Sequence, residues 1–231
     1  PIRVCLPVHC LGHPADSEEL AKICAKYRIN LVEDAAAALG SWRKSSHAEL
    51  MATASSISFN GNKIVTSGGG GVVLLQEEEN AEIVKHLSTT AKVAHPWLFD
   101  HDRIGFNYRM PNLNATLGLS QMHQLGNILE RKRKLFTEYC GWFSHKGVQV
   151  FREPKNSKSN YWLNSILFSD ISERDEFLKI TNHENVMTRP LWEPMHTLRM
   201  YKRCERTTLD VATDLHRRLV TIPSSVTPEK L

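Results

Sequence analysis

No apolar run in these 231 residues approaches the roughly 18 needed to cross a bilayer as a helix. The N-terminus has neither the charged start, the apolar middle nor the small-residue cleavage site of a secretory signal. A cytoplasmic chain without membrane association is therefore expected. Cysteine is sparse: five residues, at 5, 10, 24, 140 and 204, odd in number, scattered and without a C-x-x-C pair. That argues against a disulfide framework or a zinc knuckle and for reduced thiols, several of them in the core. Excess charge is small as well, +4 from 29 basic and 25 acidic side chains, short of the concentrated positive stripe that phosphate-backbone binding leaves in a sequence. Nucleic acid is accordingly not an expected partner. The one dense basic run, Arg131-Lys132-Arg133-Lys134, follows Glu130 within a helical pattern and reads as a solvated face; a nucleic-acid-binding module built on it is a distant alternative. A mildly basic surface does suit an anionic small substrate. Apolar residues, at 41%, supply the core of one large domain or of a domain with a smaller companion.

Strands and helices alternate along the chain. Residues 3–8 form an apolar run fitting a buried strand, broken by Gly12-His13-Pro14. Asp16 or Ser17 caps a helix in which Leu20, Ile23, Cys24 and Tyr27 recur at the spacing of one buried face. A strand from Asn30 to Glu33 follows, completing a βαβ unit and placing Asp34 at the carboxyl end of a parallel strand. Open α/β sheets bind ligands beyond such ends, although Asp34 reads equally well as the cap of a helix starting at Ala35. His9 and His13 are four apart, but Gly12 and Pro14 break the helix that would put them on one face as metal ligands, and no metal is expected.

The segment Ser58-Phe59-Asn60-Gly61-Asn62-Lys63, followed by Ile-Val-Thr-Ser and four glycines, has two readings. A loop lysine can hold an aldehyde cofactor as a Schiff base. Alternatively, Asn60-Gly61 joins Ser55–Phe59 to Lys63–Thr66 as a plain hairpin. The glycines 68–71 match no nucleotide-binding fingerprint and open a strand from Val72 to Leu75. A helix over about 77–89 then turns Ile83, Val84 and Leu87 inward. From Pro111 to about Tyr139 the chain is mostly helical, with Leu117, Leu125, Ile128, Leu129, Leu135 and Phe136 inward and Gly126 a point of bending. Strands over 148–151, 161–168 and 186–188, with helices near 173–184 and 209–219, then suggest a smaller α+β lobe. The expected division is a large domain over 1–139 and a small one over 140–231.

Five ordered segments carry a family resemblance: Pro7-Val8-His9-Cys10-Leu11-Gly12-His13-Pro14, Val32-Glu33-Asp34-Ala35-Ala36, Ser58 through Lys63, Ile104-Gly105-Phe106-Asn107-Tyr108-Arg109, and Arg189-Pro190-Leu191-Trp192. The chain resembles the DegT/DnrJ/EryC1/StrS sugar aminotransferases. Ile57 through Gly71 and Asn160-Tyr161-Trp162-Leu163 look most like the branch that aminates a 4-keto nucleotide sugar on the way to legionaminic acid or related sugars. The resemblance implies an α/β fold of the pyridoxal-phosphate fold type I, with a mixed sheet and a smaller α+β domain. It implies pyridoxal 5'-phosphate as cofactor, a nucleotide-activated deoxysugar as substrate, an amino-acid donor such as glutamate, and a homodimer whose sites straddle the subunit interface.

Site roles follow from the same resemblance. Lys63 forms the internal aldimine and moves the proton between substrate and cofactor carbons, and Asp34 pairs with the pyridine nitrogen. Ser58, two residues beyond Ser56 on one strand face, donates to the cofactor phosphate, and Asn107 reaches the phosphate of the neighbouring subunit. Arg189, Trp192 and His196 line the sugar pocket. Read without the family, Ser58 is a buried strand hydroxyl, Asn107 a turn former and Arg109 a salt-bridge partner.

The chain departs from the family pattern in three places. Ala37 stands where most members carry Gln, and this branch often Glu, three residues after the aspartate. Ser45 to Thr53 lacks the glycines usual there. Pro1 falls in the middle of the large domain, so the preceding segment, whose Ser-Gly-Thr turn binds the phosphate at a helix N-terminus, has no counterpart here. A longer polypeptide, an N-terminal partner or a degenerate remnant each accounts for this, and an isolated monomer is expected to be poorly soluble. A catalytically silent assembly subunit of the same fold is the alternative to an enzyme.

Overall fold

The computed structural model describes residues 2–44, 46–47 and 52–226. Pro1 and most of the glycine-poor stretch 45–53 lie outside the described residues. The chain divides into two compact units, Pro1–Leu129 with Pro154–Trp162, and Glu130–Glu153 with Leu163–Leu231.

The first unit opens with the βαβ expected from the periodicity: β1 (Val4–Cys5), α1 (Ser17–Tyr27) and β2 (Asn30–Asp34), with Val4 in parallel register with Asn30. A two-strand ribbon, β3 (Trp42–Arg43) and β4 (Ser46–His47), precedes β5 (Ala54–Ser58) and β6 (Gly71–Leu75). The main sheet runs β1-β2-β5-β6, parallel except for β6. Strand alternation buries Leu31 and Glu33 while Asp34 is half-buried. Cys24, Leu31 and Ala52 form one small core with Cys5, Leu20 and Ala21; Ala35, Ala38 and Ile57 form another with Leu39, Phe59 and Leu74.

Several expectations need correction here. The 3–8 run is strand only at Val4–Cys5, with Val8 rejoining as a bridge to Asp34. In α1, Cys24 is buried and Leu20 packs beside it, but Ile23 and Tyr27 are exposed. The inward stripe is narrower than the apolar pattern suggests, because Leu20, Ala21 and Cys24 already cover Leu31. The strand pairing with β5 is β6, Ser58 opposite Gly71 and Ala54 opposite Leu75. The plain hairpin through Asn60-Gly61 is therefore not formed, and Lys63 sits in the long connection between the two strands.

In α2 (Glu78–Ser88) no residue is buried, and Ile83 and Val84, expected inward, are each 37% exposed where the helix packs beside the edge strand β6. The helical stretch after Pro111 is two helices, α3 (Asn112–His123) and α4 (Leu125–Phe143), parting at Gln124, two residues before Gly126. Leu117, expected inward, is exposed. The two units divide within α4, at Leu129/Glu130.

After α4, β7 (Gln149–Val150) belongs to the second unit, whereas β8 (Ser157–Lys158) returns to the first and pairs antiparallel with β3. The second unit then adds β9 (Asn164–Leu167), α5 (Ile171–His183), β10 (Arg189–Pro190), α6 (Asp210–Arg218) and β11 (Leu219–Ile222). Its antiparallel sheet runs β10-β11-β9-β7. The strand expected at 186–188 is displaced to the edge strand Arg189–Pro190, a position that tolerates proline. The fully buried β11 had no sequence expectation.

The basic run also departs from its expected solvated role. Ile128, Lys132 and Phe136 recur every four residues on α4, so Lys132 falls on the inward stripe and is 7% exposed, its Nζ donating to the Ser224 carbonyl at 2.5 Å. Arg133 makes a bidentate pair with Glu153 at 2.9 and 3.0 Å. No helix among the described residues is long and apolar enough to cross a membrane.

Candidate active site

Asp34 ends β2 in a rigid setting. Its N–H donates to the Pro7 carbonyl at 3.0 Å, its carbonyl accepts from His9 N–H at 3.1 Å, and its Oδ1 accepts from Ala36 N–H at 3.1 Å. Behind it lies a polar network that the sequence did not announce. Glu33 and His9 are both fully buried, Glu33 Oε1 standing 3.5 Å from His9 Nε2 and Oε2 accepting from Ser55 Oγ at 3.1 Å. His9 Nδ1 accepts from Ala15 N–H at 2.9 Å, so the ring proton resides on Nε2, facing Glu33. Burial works to raise the Glu33 carboxyl, but the neighbouring His9, Ser17 and Ser55 side chains outweigh it and hold the group below its ordinary value.

Lys63 projects from the loop between β5 and β6. Phe59 closes the loop's base, donating to the Gly70 carbonyl and accepting from Ser67 N–H, each at 3.0 Å, while Lys63 N–H donates to the Asn60 carbonyl at 3.0 Å in a tight turn. Asn114 on α3 donates to the Ser67 carbonyl at 2.6 Å, tying the loop to the helix. The Lys63 amine lies 3.8 Å from the centre of the Trp162 ring. Burial pushes it below the usual lysine range, and the negative charge of Asp34 pulls it partly back. Lys63 and Asp34 are thus within electrostatic reach of each other. Ser56 is the register partner of Asp34, and Ser58, one pleat further along, accepts at Oγ from Asn60 N–H at 3.2 Å.

The segment after β8 locks these loops together. Asn160 Nδ2 donates to the Ala37 and Leu39 carbonyls at 2.8 and 3.0 Å, and its Oδ1 accepts from Trp162 N–H at 2.8 Å. Ser41 Oγ and Ser159 Oγ both donate to the Gly12 carbonyl, at 2.7 and 2.9 Å. Gly12, at φ +90°, leaves no room for a side chain, since a Cβ there would fall 1.9 Å from Asn160 Oδ1. Trp162 Nε1–H donates to the Asn62 carbonyl at 2.7 Å. Asn160 and Trp162 entered the sequence reading only as marks of a family branch. Their signal, an amide and an indole flanking a tyrosine before a strand, gives no hint that they return to the first unit.

Of the other expected site residues, Asn107 is exposed and bridges backbone to backbone with Thr89. Arg189 in the second unit donates to Asn182 Oδ1 at 2.7 Å and to the Thr188 carbonyl at 2.9 Å. In the same unit Trp192 is 61% exposed, and His196 lies in a short helical turn over Met195–Thr197. Among the described residues the structure gathers Lys63, Asp34 and Ser58 in the first unit; Asn107 belongs to the same unit, and Arg189, Trp192 and His196 belong to the second. A surface hollow of about 480 Å³ is lined by Lys92, Val93, Ala94, His95 and Pro96, none of them in the cluster.

The architecture is that of fold type I pyridoxal-phosphate aminotransferases: the aminotransferase TlmJ from Streptoalloteichus hindustanus superposes with a TM-score of 0.88 at 23% identity, covering 96% of this chain and 60% of that one. The chain belongs to the DegT/DnrJ/EryC1/StrS aminotransferase family, which matches residues 2–230. A GDP-perosamine synthase of Escherichia coli O157:H7 is 33% identical over 217 residues, 94% of this chain and 59% of the relative. A GDP-perosamine synthase of Vibrio cholerae is 29% identical over 225 residues, 96% and 61% respectively. The chain spans about three-fifths of the length of these relatives.

Proposed function

We propose that this chain contributes the lysine and aspartate of a pyridoxal-phosphate site, and that the protein moves an amino group from an amino acid, glutamate in our reading, to a keto carbon of a nucleotide-activated deoxysugar. The observation that carries this is the setting of Lys63: a half-buried amine on an aromatic face, held below its ordinary pKa and within reach of one carboxylate. A lysine so placed is neutral more readily than a solvated one, as bonding to an aldehyde requires. Asp34 fits the complementary role, being anchored through its backbone and through Oδ1 at a strand end. The residues present therefore fit the cofactor. When bound, pyridoxal phosphate supplies an electron sink for negative charge developing on the substrate carbon.

The chain's own groups do the rest. Lys63 Nζ would hold the cofactor's aldehyde and, once released by the donor's amine, would carry the proton taken from the donor's carbon. Asp34 would keep a proton on the ring nitrogen by presenting a carboxylate to it. Ser58 Oγ, at the end of β5, would donate to the phosphate. GDP-perosamine synthases among the relatives support a nucleotide sugar as acceptor. Asn107 falls in a stretch of sequence whose apolar side chains Trp97, Phe99, Ile104, Tyr108 and Leu113 are all exposed, which supports a homodimer in which Asn107 reaches the partner's phosphate.

Added pyridoxal phosphate should produce a visible absorbance band, and borohydride should then fix a pyridoxyl mass on the Lys63 peptide. Equal fixation in Lys63→Ala would overturn the assignment. A second reading, a subunit that keeps the fold without turnover, is favoured by Ala37, which offers Asn160 a backbone carbonyl and has no polar side chain. A chain that shows neither the band nor exchange with glutamate would support it.

A further inference from the structure

Among the described residues three other lysines stand over aromatic rings, Lys26 at 5.3 Å from Tyr27, Lys92 at 4.3 Å from Phe99 and Lys146 at 4.4 Å from Trp142, and each of those rings is more than half exposed. The Lys63 contact differs. It is closer, at 3.8 Å, and the Trp162 ring beneath it is 6% exposed. That ring is also held in place, its backbone N–H by Asn160 Oδ1 and its indole N–H by the carbonyl of Asn62, the residue immediately before the lysine. One indole therefore grips Lys63 at both ends, fixing the peptide from which the side chain departs and supporting the amine at its tip.

We propose that Trp162 is a positioning residue for Lys63: its ring face seats the ammonium form whenever the amine is not covalently engaged, and its indole N–H fixes the loop from which the lysine projects. The proposal deepens the cofactor reading and rests on it. An aromatic face favours a cation over a neutral amine, so the seat opposes the burial that discourages charge. A flexible four-carbon side chain would otherwise sample many rotamers between covalent engagements. Holding it against a fixed ring keeps the amine in place for the next one, which follows once its proton is lost; the gain is the orientational one that favours intramolecular reactions. Asp34 acts on the amine in the same sense as the ring.

The test uses the chain without cofactor. Competitive labelling with trace acetic anhydride, read on the Lys63 peptide across pH, gives the amine's titration midpoint in wild type, Trp162→Phe and Trp162→Leu. Phenylalanine keeps a ring face; leucine does not. The midpoint in W162L is expected about half a unit to one unit below that in W162F, with thermal unfolding showing both folded. A midpoint in W162L equal to or above that in W162F overturns the proposal. If the Trp162 variants fail to fold, wild type and Lys63→Met replace them: the difference between their near-ultraviolet tryptophan spectra should titrate with the Lys63 midpoint, and a pH-independent difference overturns the proposal equally. Borohydride fixation separates the two claims. Titration as expected without fixation refutes the cofactor reading and leaves the seat standing, whereas normal fixation with no titration difference refutes the seat alone.

Discussion

Replacing Lys132 by methionine should change how the second unit's stability responds to alkali. Burial brings this amine from 10.5 down to about 8, while its Nζ donates to the Ser224 carbonyl. The unfolded chain therefore binds more protons than the folded one between about pH 8 and 10.5, and stability must rise with pH across that window. The contribution is fully present above the unfolded value and is lost as pH falls through the folded one. A shift of about 2.5 units at about 1.4 kcal/mol each makes burying the charged amine cost roughly 3 kcal/mol at pH 7, and most of that cost disappears by pH 10. Urea midpoints for wild type and Lys132→Met, measured from pH 7 to 10 at constant ionic strength, isolate the effect, because every other titration is common to both. Wild type should gain about 2.5 kcal/mol relative to the variant over that range. A gap that stays constant within about 1 kcal/mol would show that the amine is solvated, and would refute the inward placement of the basic run.

Other expectations concern the first unit. Glu33→Ala should destabilise it by about 3 kcal/mol or more, by stripping the buried His9 and Ser55 of their shared acceptor. Because Glu33 is held below its ordinary 4.5, wild-type stability should fall as pH drops below that value toward the lower folded pKa. Glu33→Gln should lose that acid-dependent component, as an acid titration of unfolding would register. Gly12→Ala should lower thermal stability by about 2 kcal/mol or more, since the new methyl group meets Asn160 Oδ1 in a left-handed backbone conformation; an unchanged melting temperature would contradict that packing.

What could be read from the sequence and what could not differ for physical reasons. The βαβ unit and the place of Asp34 were legible because apolar spacing in α1 and β2 is a local signal. The hairpin at Asn60-Gly61 was a false local signal: a five-residue ladder between β5 and β6 outweighs a favourable two-residue turn. Periodicity identified α1 and α2 but overstated their buried faces: Leu20 and Cys24 turn inward as expected, whereas Ile23 and Ile83 carry the pattern and are exposed. Lys132 was legible in principle, at i+4 from Ile128 and i−4 from Phe136, yet a run of like charges masked the stripe. Asn160 and Trp162 were out of reach, because their partners at Ala37, Leu39, Ser41 and Asn62 are about a hundred or more residues away in sequence.

The polypeptide passes from one unit to the other three times, at 129/130, 153/154 and 162/163. Synthesis must therefore run well past the lysine before the tryptophan that underlies it emerges from the ribosome. A nascent chain halted near residue 150 would hold both Asp34 and Lys63 yet lack the clasp of Asn160 and Trp162 that ties their loops together, so that arrangement forms only late in synthesis.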